Sequence, residues 1–189
     1  MPTPLYPAFV LLLLYGLRRG EVLGLSWRDV DFGQGTIRVR QQLIRAGNRL
    51  QLGPVKTAAG KRGLPLLGIA RQALINHEGM RVLGGPVTAW SRHDLVFSTR
   101  SGLPVEPRNL ARSFHRITAD ARLRRIRLHD LRHTTATLLK DLGVPARDSM
   151  EILGHSRSAV TLEIYTAADD ASRRDAIERL NQLFETGSR

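Results

Sequence analysis

The sequence predicts an α+β fold, mainly helical, with one small three-stranded antiparallel sheet. Two patterns carry this. Apolar residues recur at helical spacing through most of the chain, and only residues 36–66 show the alternation of half-buried strands. A third observation bounds the class. With 189 residues, 42% of them hydrophobic, the chain has the length of about one domain and enough apolar surface for a core. It has no cysteine, which excludes disulfides, Cys-ligated zinc and a Cys nucleophile.

In chain order, Tyr6–Leu17 is apolar nearly all round, the pattern of a buried helix, and Gly16 weakens its end. A short helix is predicted over Gly20–Ser26, where Val22, Leu23 and Leu25 are apolar. Asp29 to Gly35 reads as a turn region carrying Gly33 and Gly35. In Thr36-Ile37-Arg38-Val39-Arg40-Gln41 apolar and polar residues alternate. Ala46-Gly47-Asn48 reads as a turn, Arg49–Val55 as a second strand, Ala58–Lys61 as a turn and Gly63–Leu66 as a third strand. Together they predict one meander with arginines on its polar face. Helices are then predicted near Leu67–Met80, Glu106–Ala119, His129–Leu142, Pro145–Leu153, Ser158–Ala168 and Ala171–Phe184. Pro145 suits a first helical turn, and Asp170 suits a cap. Val82–Asp94 is the longest predicted loop. In the last helix Ala176, Ile177, Leu180, Leu183 and Phe184 fall near one face, a stripe to be buried in this chain's core or on a neighbour. There is no internal repeat, low-complexity tract or clear linker.

The charge is lopsided. Lys and Arg number 29 against 17 Asp and Glu, net +12. Residues 36–133 hold 19 basic and 5 acidic groups, and no carboxylate lies between Phe32 and His77. An arginine-rich, solvated surface is the plainer reading; a polyanionic partner, most simply nucleic acid, is the more informative one. The longest apolar run, Ala8–Tyr15, is too short to span a bilayer, which needs about 20 residues. Pro2-Thr3-Pro4 is not the basic start of a signal peptide. A soluble, cytoplasmic protein is expected.

Several motifs can be set aside. His77-Glu78 opens like a zinc-protease helix, but position 81 is Arg where the second His belongs. No glycine pattern makes a phosphate loop or a dinucleotide fingerprint. No carboxylate cluster suits a pair of magnesium ions. What remains is cationic. His129 and Arg132 are three apart on one predicted helix face. His155 follows a helix end, and Tyr165 lies ten residues on. Arg18 occupies a tight turn between two apolar helices, and Lys56 a turn between two strands. Singly, each has a plain structural reading: a cap or core histidine, a surface ion pair, a core tyrosine, a solvated lysine.

The order and spacing of these segments resemble one family, the tyrosine recombinases or phage integrases, over nearly the whole of the chain. Tyr15-Gly16-Leu17-Arg18-Arg19-Gly20-Glu21-Val22-Leu23-Gly24-Leu25 looks like its first arginine box. Pro54-Val55-Lys56-Thr57 with Lys61-Arg62-Gly63-Leu64-Pro65-Leu66 resembles the hairpin of the catalytic lysine. His129-Asp130-Leu131-Arg132-His133-Thr134 resembles the His-x-x-Arg box, Leu153-Gly154-His155-Ser156 the second histidine box, and Thr161-Leu162-Glu163-Ile164-Tyr165 the nucleophile segment.

The resemblance implies a tyrosine recombinase catalytic fold over residues 1–189, without room for the N-terminal helical domain that clamps DNA in family members. It implies that Tyr165 attacks a DNA phosphodiester while Arg18, Lys56, His129, Arg132 and His155 assist, with no metal or other cofactor. Lys61 and then Arg62 are the alternatives to Lys56, and the Gly-Leu-Arg context selects Arg18 over Arg19. The implied partners are double-stranded DNA, a homotetramer on DNA and an accessory excision factor. No membrane is implied, and a bacterial, nucleoid-associated location is. A type IB topoisomerase-like activity and a non-cleaving DNA-binding module are the alternatives. Asp130 is expected to cap the helix that it starts.

Overall fold

The computed structural model describes residues 4–80, 88–154 and 170–186. Helices dominate, as the periodicity predicts. They are α1 (Tyr6–Tyr15), α2 (Arg19–Leu23), α3 (Gly68–Gly79), α4 (Pro107–Asp120), α5 (Asp130–Asp141), α6 (Ala146–Leu153) and α7 (Asp170–Thr186). The helix expected over Ser158–Ala168 lies outside the described residues. None of the described helices is long and apolar enough to cross a membrane.

The buried helix is α1. Ala8, Leu11 and Tyr15 are fully buried, and α3, α5 and α7 pack around it. It stops at Gly16, whose φ of +58° is the left-handed cap that glycine adopts without strain. The carbonyls released at that end are taken up by α5. Thr135 Oγ1 donates to Leu13 O (2.7 Å), and Arg132 Nη1 donates to Gly16 O (2.6 Å). The end of α1 is thus tied to the face of α5 that carries Arg132.

The β region departs from the predicted meander. The alternation is real, with Ile37 and Val39 buried and Arg38 and Arg40 exposed. The strands, however, form two sheets. β1 (Val30–Asp31), β2 (Thr36–Val39) and β5 (Arg62–Pro65) make a three-stranded antiparallel sheet in the order β1-β2-β5, with Ile37 opposite Leu64. β3 (Gln41–Ala46) and β4 (Arg49–Pro54) make a separate hairpin closed by Gly47 and Asn48.

The divergence at Arg40 has a local cause. β3 leaves its sheet to lie on α2, where Gly20 and Gly24 share a face. A Cβ on Gly20 would stand 2.8 Å from Leu43 O, and one on Gly24 2.8 Å from the Gln42 backbone. Gln41 Nε2 donates to Gly24 O (2.8 Å) and anchors the crossing, while Arg40 pairs with buried Asp29.

The apolar stripe of α7 is buried in this chain's own core over its first part, whereas Leu183 is exposed and Phe184 half-buried. Ala176, Ile177 and Leu180 are fully covered, and α7 packs on α1, α3, α5, α6 and β5. Asn181 Oδ1 accepts the Ile69 N–H at the start of α3 (2.8 Å), a cap supplied from a distant helix.

Gly16 gives a direct check on this packing. A Cβ there would meet Leu153 Cδ2 at 2.4 Å as well as forcing a left-handed L-residue. G16A is expected to lower unfolding free energy by about 2 kcal/mol or more in a urea titration.

Candidate active site

The site is assembled where α1 ends and α2 begins. Arg18 precedes α2 in extended conformation (φ −72°, ψ 147°), and Glu21 lies one turn on. Glu21 Oε2 accepts the Arg18 backbone N–H (2.9 Å), and Oε1 accepts Arg18 Nη1 (2.7 Å). Arg18 Nη2 donates to Gly154 O at the end of α6 (3.1 Å). The Arg18 side chain is 27% exposed, so one edge stays open to solvent while the rest is held.

Glu21 is 2% exposed and bonds a second arginine, Arg62 of β5 (Nη2 to Oε2, 3.2 Å). Burial alone raises a carboxyl pKa. Here the Arg62 charge, with hydrogen bonds from Arg18 and Arg62, outweighs it and holds Glu21 below its ordinary value. Burial lowers the pKa of Arg62, while Glu21 opposes that shift.

Arg132, on the first turn of α5, is 6% exposed. Its Nη1 is spent on Gly16 O, while Nη2 is buried and has no hydrogen-bond partner among the described residues. Burial, then the nearby Arg18 charge, lowers its pKa to about 10, which leaves it protonated at neutral pH. His129 stands just before the same helix, edge-on to His133 with ring centroids 5.4 Å apart. Partial desolvation, then the charges of His133 and Arg132, holds its pKa below 6.5, so at neutral pH the imidazole is uncharged and can accept a proton. Asp130 does not cap α5 by its side chain. Its carboxylate turns back to the Arg127 backbone N–H (2.8 Å) and guanidinium, outside the helix.

Arg18, His129 and Arg132 line one open cleft of about 810 Å³, together with Arg19, Arg45 and Arg108. Among the described residues the one carboxylate in its lining is Glu106, which is paired to Arg45 at 2.5 and 2.6 Å. Among the described residues the cleft therefore offers a net positive field and a buried N–H without a partner, a setting that suits an oxyanion.

Not every expected residue joins them. Lys56 is exposed on the connection from β4 to β5, which belong to different sheets, and it is not among the residues lining the cleft. The expected hairpin tip is therefore a crossover between sheets. Lys61 is exposed on the same connection, and the Arg62 side chain is buried with each of its three nitrogens hydrogen-bonded. His155 and Tyr165 lie outside the described residues. Of the other tyrosines, Tyr6 is exposed at the start of α1. Tyr15 is buried, donates to Pro65 O (2.7 Å) and has its phenol pKa pushed up by burial.

The sequence model of the phage integrase family matches residues 2–172. The chain belongs to the phage integrase family. It is 32% identical over 191 residues to a tyrosine recombinase XerC-like protein of Caldanaerobacter subterraneus subsp. tengcongensis, covering 93% of this chain and 49% of that one. It is 36% identical over 144 residues to an integrase of Saccharopolyspora erythraea, covering 74% and 32%. The chain thus spans about half the length, or less, of these curated relatives. Among solved structures, the Tn1549 transposon integrase in complex with transposon right end DNA superposes with a TM-score of 0.72 at 29% identity, over 94% of this chain and 58% of that one. The helical fold with small antiparallel sheets is therefore that of the catalytic part of an integrase.

Two residues of this site carry more than their sequence positions suggest. Glu21 stands three after Arg18, the spacing of a capping pair, and that was its only signal. Arg62 had none beyond lying near the lysines. Glu21 yields a test. Its depressed pKa adds stability that is complete above the unfolded value of 4.5 and is lost as pH falls below it. E21Q should flatten this acid limb in melts run across pH. It should also cost about 3 kcal/mol at neutral pH by leaving Arg62 buried without its counter-ion.

Proposed function

We propose that this chain is the catalytic domain of a site-specific DNA recombinase, which cleaves and rejoins duplex DNA through a covalent 3′-phosphotyrosine. The observation that carries the reading is the cleft in which Arg18 and Arg132 are held beside a neutral His129, with one buried Arg132 N–H that has no partner among the described residues. The DNA complexes of the Tn1549 relative support DNA as the substrate. So do the exposed arginines of α4 and the segment after it: Arg108, Arg112, Arg116, Arg122, Arg124 and Arg125.

The chemistry is an in-line transesterification. The Tyr165 oxygen attacks phosphorus, the P–O5′ bond breaks, and the phosphate energy is kept in the protein–DNA bond, so no ATP is consumed. The phenolic proton, with a usual pKa of about 10, passes to His129. Charge accumulating on the nonbridging oxygens is met by the forks of Arg18 and Arg132, fixed before the reaction begins. His155 donates a further hydrogen bond to the phosphate. Lys56 protonates the departing 5′ oxygen, swinging in from its exposed connection when DNA is bound. The same steps in reverse, with the 5′-hydroxyl of a second strand, complete the exchange. We also assign the functional assembly as a tetramer on DNA.

The decisive experiment is covalent capture on a nicked suicide duplex carrying the element's own recombination site. The chain is expected to form an adduct in EDTA as in its absence. Y165F should form none while binding DNA normally, and R132A should react about 10² to 10³ times more slowly. Adduct formation by Y165F would mean another nucleophile, and loss of reaction on chelation a metal enzyme.

The lysine assignment has its own check. With sulfur in place of the bridging 5′ oxygen the leaving thiolate needs no acid. K56A should cleave ordinary DNA poorly and the thio-substrate at nearly the normal rate. The same rescue seen with K61A instead would move the acid to Lys61.

A further inference from the structure

Arg62 has no step in the proposed chemistry, yet its guanidinium touches three separate pieces of the site. Its side chain is 4% exposed. Nε donates to Ile152 O in the last turn of α6 (2.8 Å). Nη1 donates to Gly60 O, in the turn that follows Lys56 (2.9 Å). Nη2 donates to Glu21, the carboxylate that holds Arg18 (3.2 Å). The fit at α6 is close: a Cβ on Gly154 would stand 2.5 Å from Arg62 Nη1 and 2.8 Å from Cζ. Arg18 Nη2 reaches the same helix end at Gly154 O. Two arginines therefore grip one helix end, with Glu21 between their forks, and the chain runs on from there to His155.

We propose that Arg62 is a positioning residue for strand cleavage: a buried strut that sets Glu21 and the end of α6, and so aims Arg18 at the scissile phosphate. The inference rests on the recombinase reading. A planar fork is required because three acceptors in different directions must be met by one rigid group. A charge is required because Glu21 must remain ionised to hold Arg18 on both its backbone and side-chain donors. The turn of Gly60 is fixed by the same group, which also sets the root from which the Lys56 connection departs.

The test uses the full chain with R62K and R62M, on the suicide duplex described above. Single-turnover adduct formation is measured at saturating DNA, the dissociation constant of the same duplex separately, and each variant is melted so that rates are read well below its midpoint. R62M should react about 10²-fold more slowly, the cost of a reacting group misplaced by about 1 Å. R62K should fall between it and the unaltered chain, and duplex affinity should stay the same for both. Because Arg62 acts through Glu21, E21Q combined with R62M should be no slower than the slower single variant. If R62M fails to fold, R62K carries the rate comparison. Unaltered rates at saturating DNA, or losses for E21Q and R62M that multiply, would overturn the proposal and leave Arg62 a fold residue. Absence of any adduct with the unaltered chain would instead overturn the recombinase reading, and this inference with it.

Discussion

One buried carboxylate, Glu21, holds the two arginines that join α2 to β5 beside the cleft. Placing an ionised Glu21 in the interior costs several kcal/mol in lost hydration. Arg18 and Arg62 offset that cost only because both forks reach it within hydrogen-bond distance. The dependence runs the other way as well. The Arg18 charge lowers the proton affinity of both Arg62 and Arg132, Arg62 lowers that of Arg132 further, and Glu21 is the charge that opposes this at both. Remove it, and three guanidinium groups face one another at the junction of α2, β5 and α5. The fold can concentrate positive charge beside its cleft because one negative charge is hidden behind it.

How far the sequence reveals this depends on the range of each interaction. Local periodicity placed α1, α3, α4, α5 and α6 to within about two residues, since burial on one face is written into neighbouring positions. The sheet was harder. The alternation of Ile37 and Val39 is visible, but the departure of β3 at Arg40 depends on Gly20 and Gly24, some twenty residues earlier. Nothing in the strand itself encodes that contact. At the site, Arg18, His129 and Arg132 stand together as their boxes suggest, because each sits at a helix start that the sequence marks. The role of Arg62 was hidden, since all of its partners but Gly60 are distant in the chain.

The arginine-rich composition divides into two populations that a net charge cannot distinguish. Arg108, Arg112, Arg116, Arg122, Arg124 and Arg125 are exposed. They form a field that attracts a polyanion and weakens as salt screens it. Arg62 and Arg132 have buried side chains and act through direction: each Arg62 nitrogen donates to a named acceptor, while Arg132 Nη1 donates to Gly16 O and Nη2 has no partner among the described residues. Lysine serves the first task well and the second poorly, because an ammonium has no fixed plane. The near exclusion of lysine from this chain is thus understandable for the interior arginines, while the surface arginines carry no such requirement.

The contact between α2 and β3 divides the hairpin into two regimes of tolerance. At its root, Gln42 and Leu43 lie against glycines that leave room only for hydrogen, so the strand cannot shift without moving the turn of Arg18. At its tip, residues 46–49 are exposed and make no such approach. Lengthening or rewriting the tip leaves the cleft wall in place, whereas one inserted residue near Gln42 would put every later side chain of β3 on the wrong face. The hairpin is therefore a natural graft point: a foreign loop or a label can be carried at its end without disturbing the cleft wall at its base.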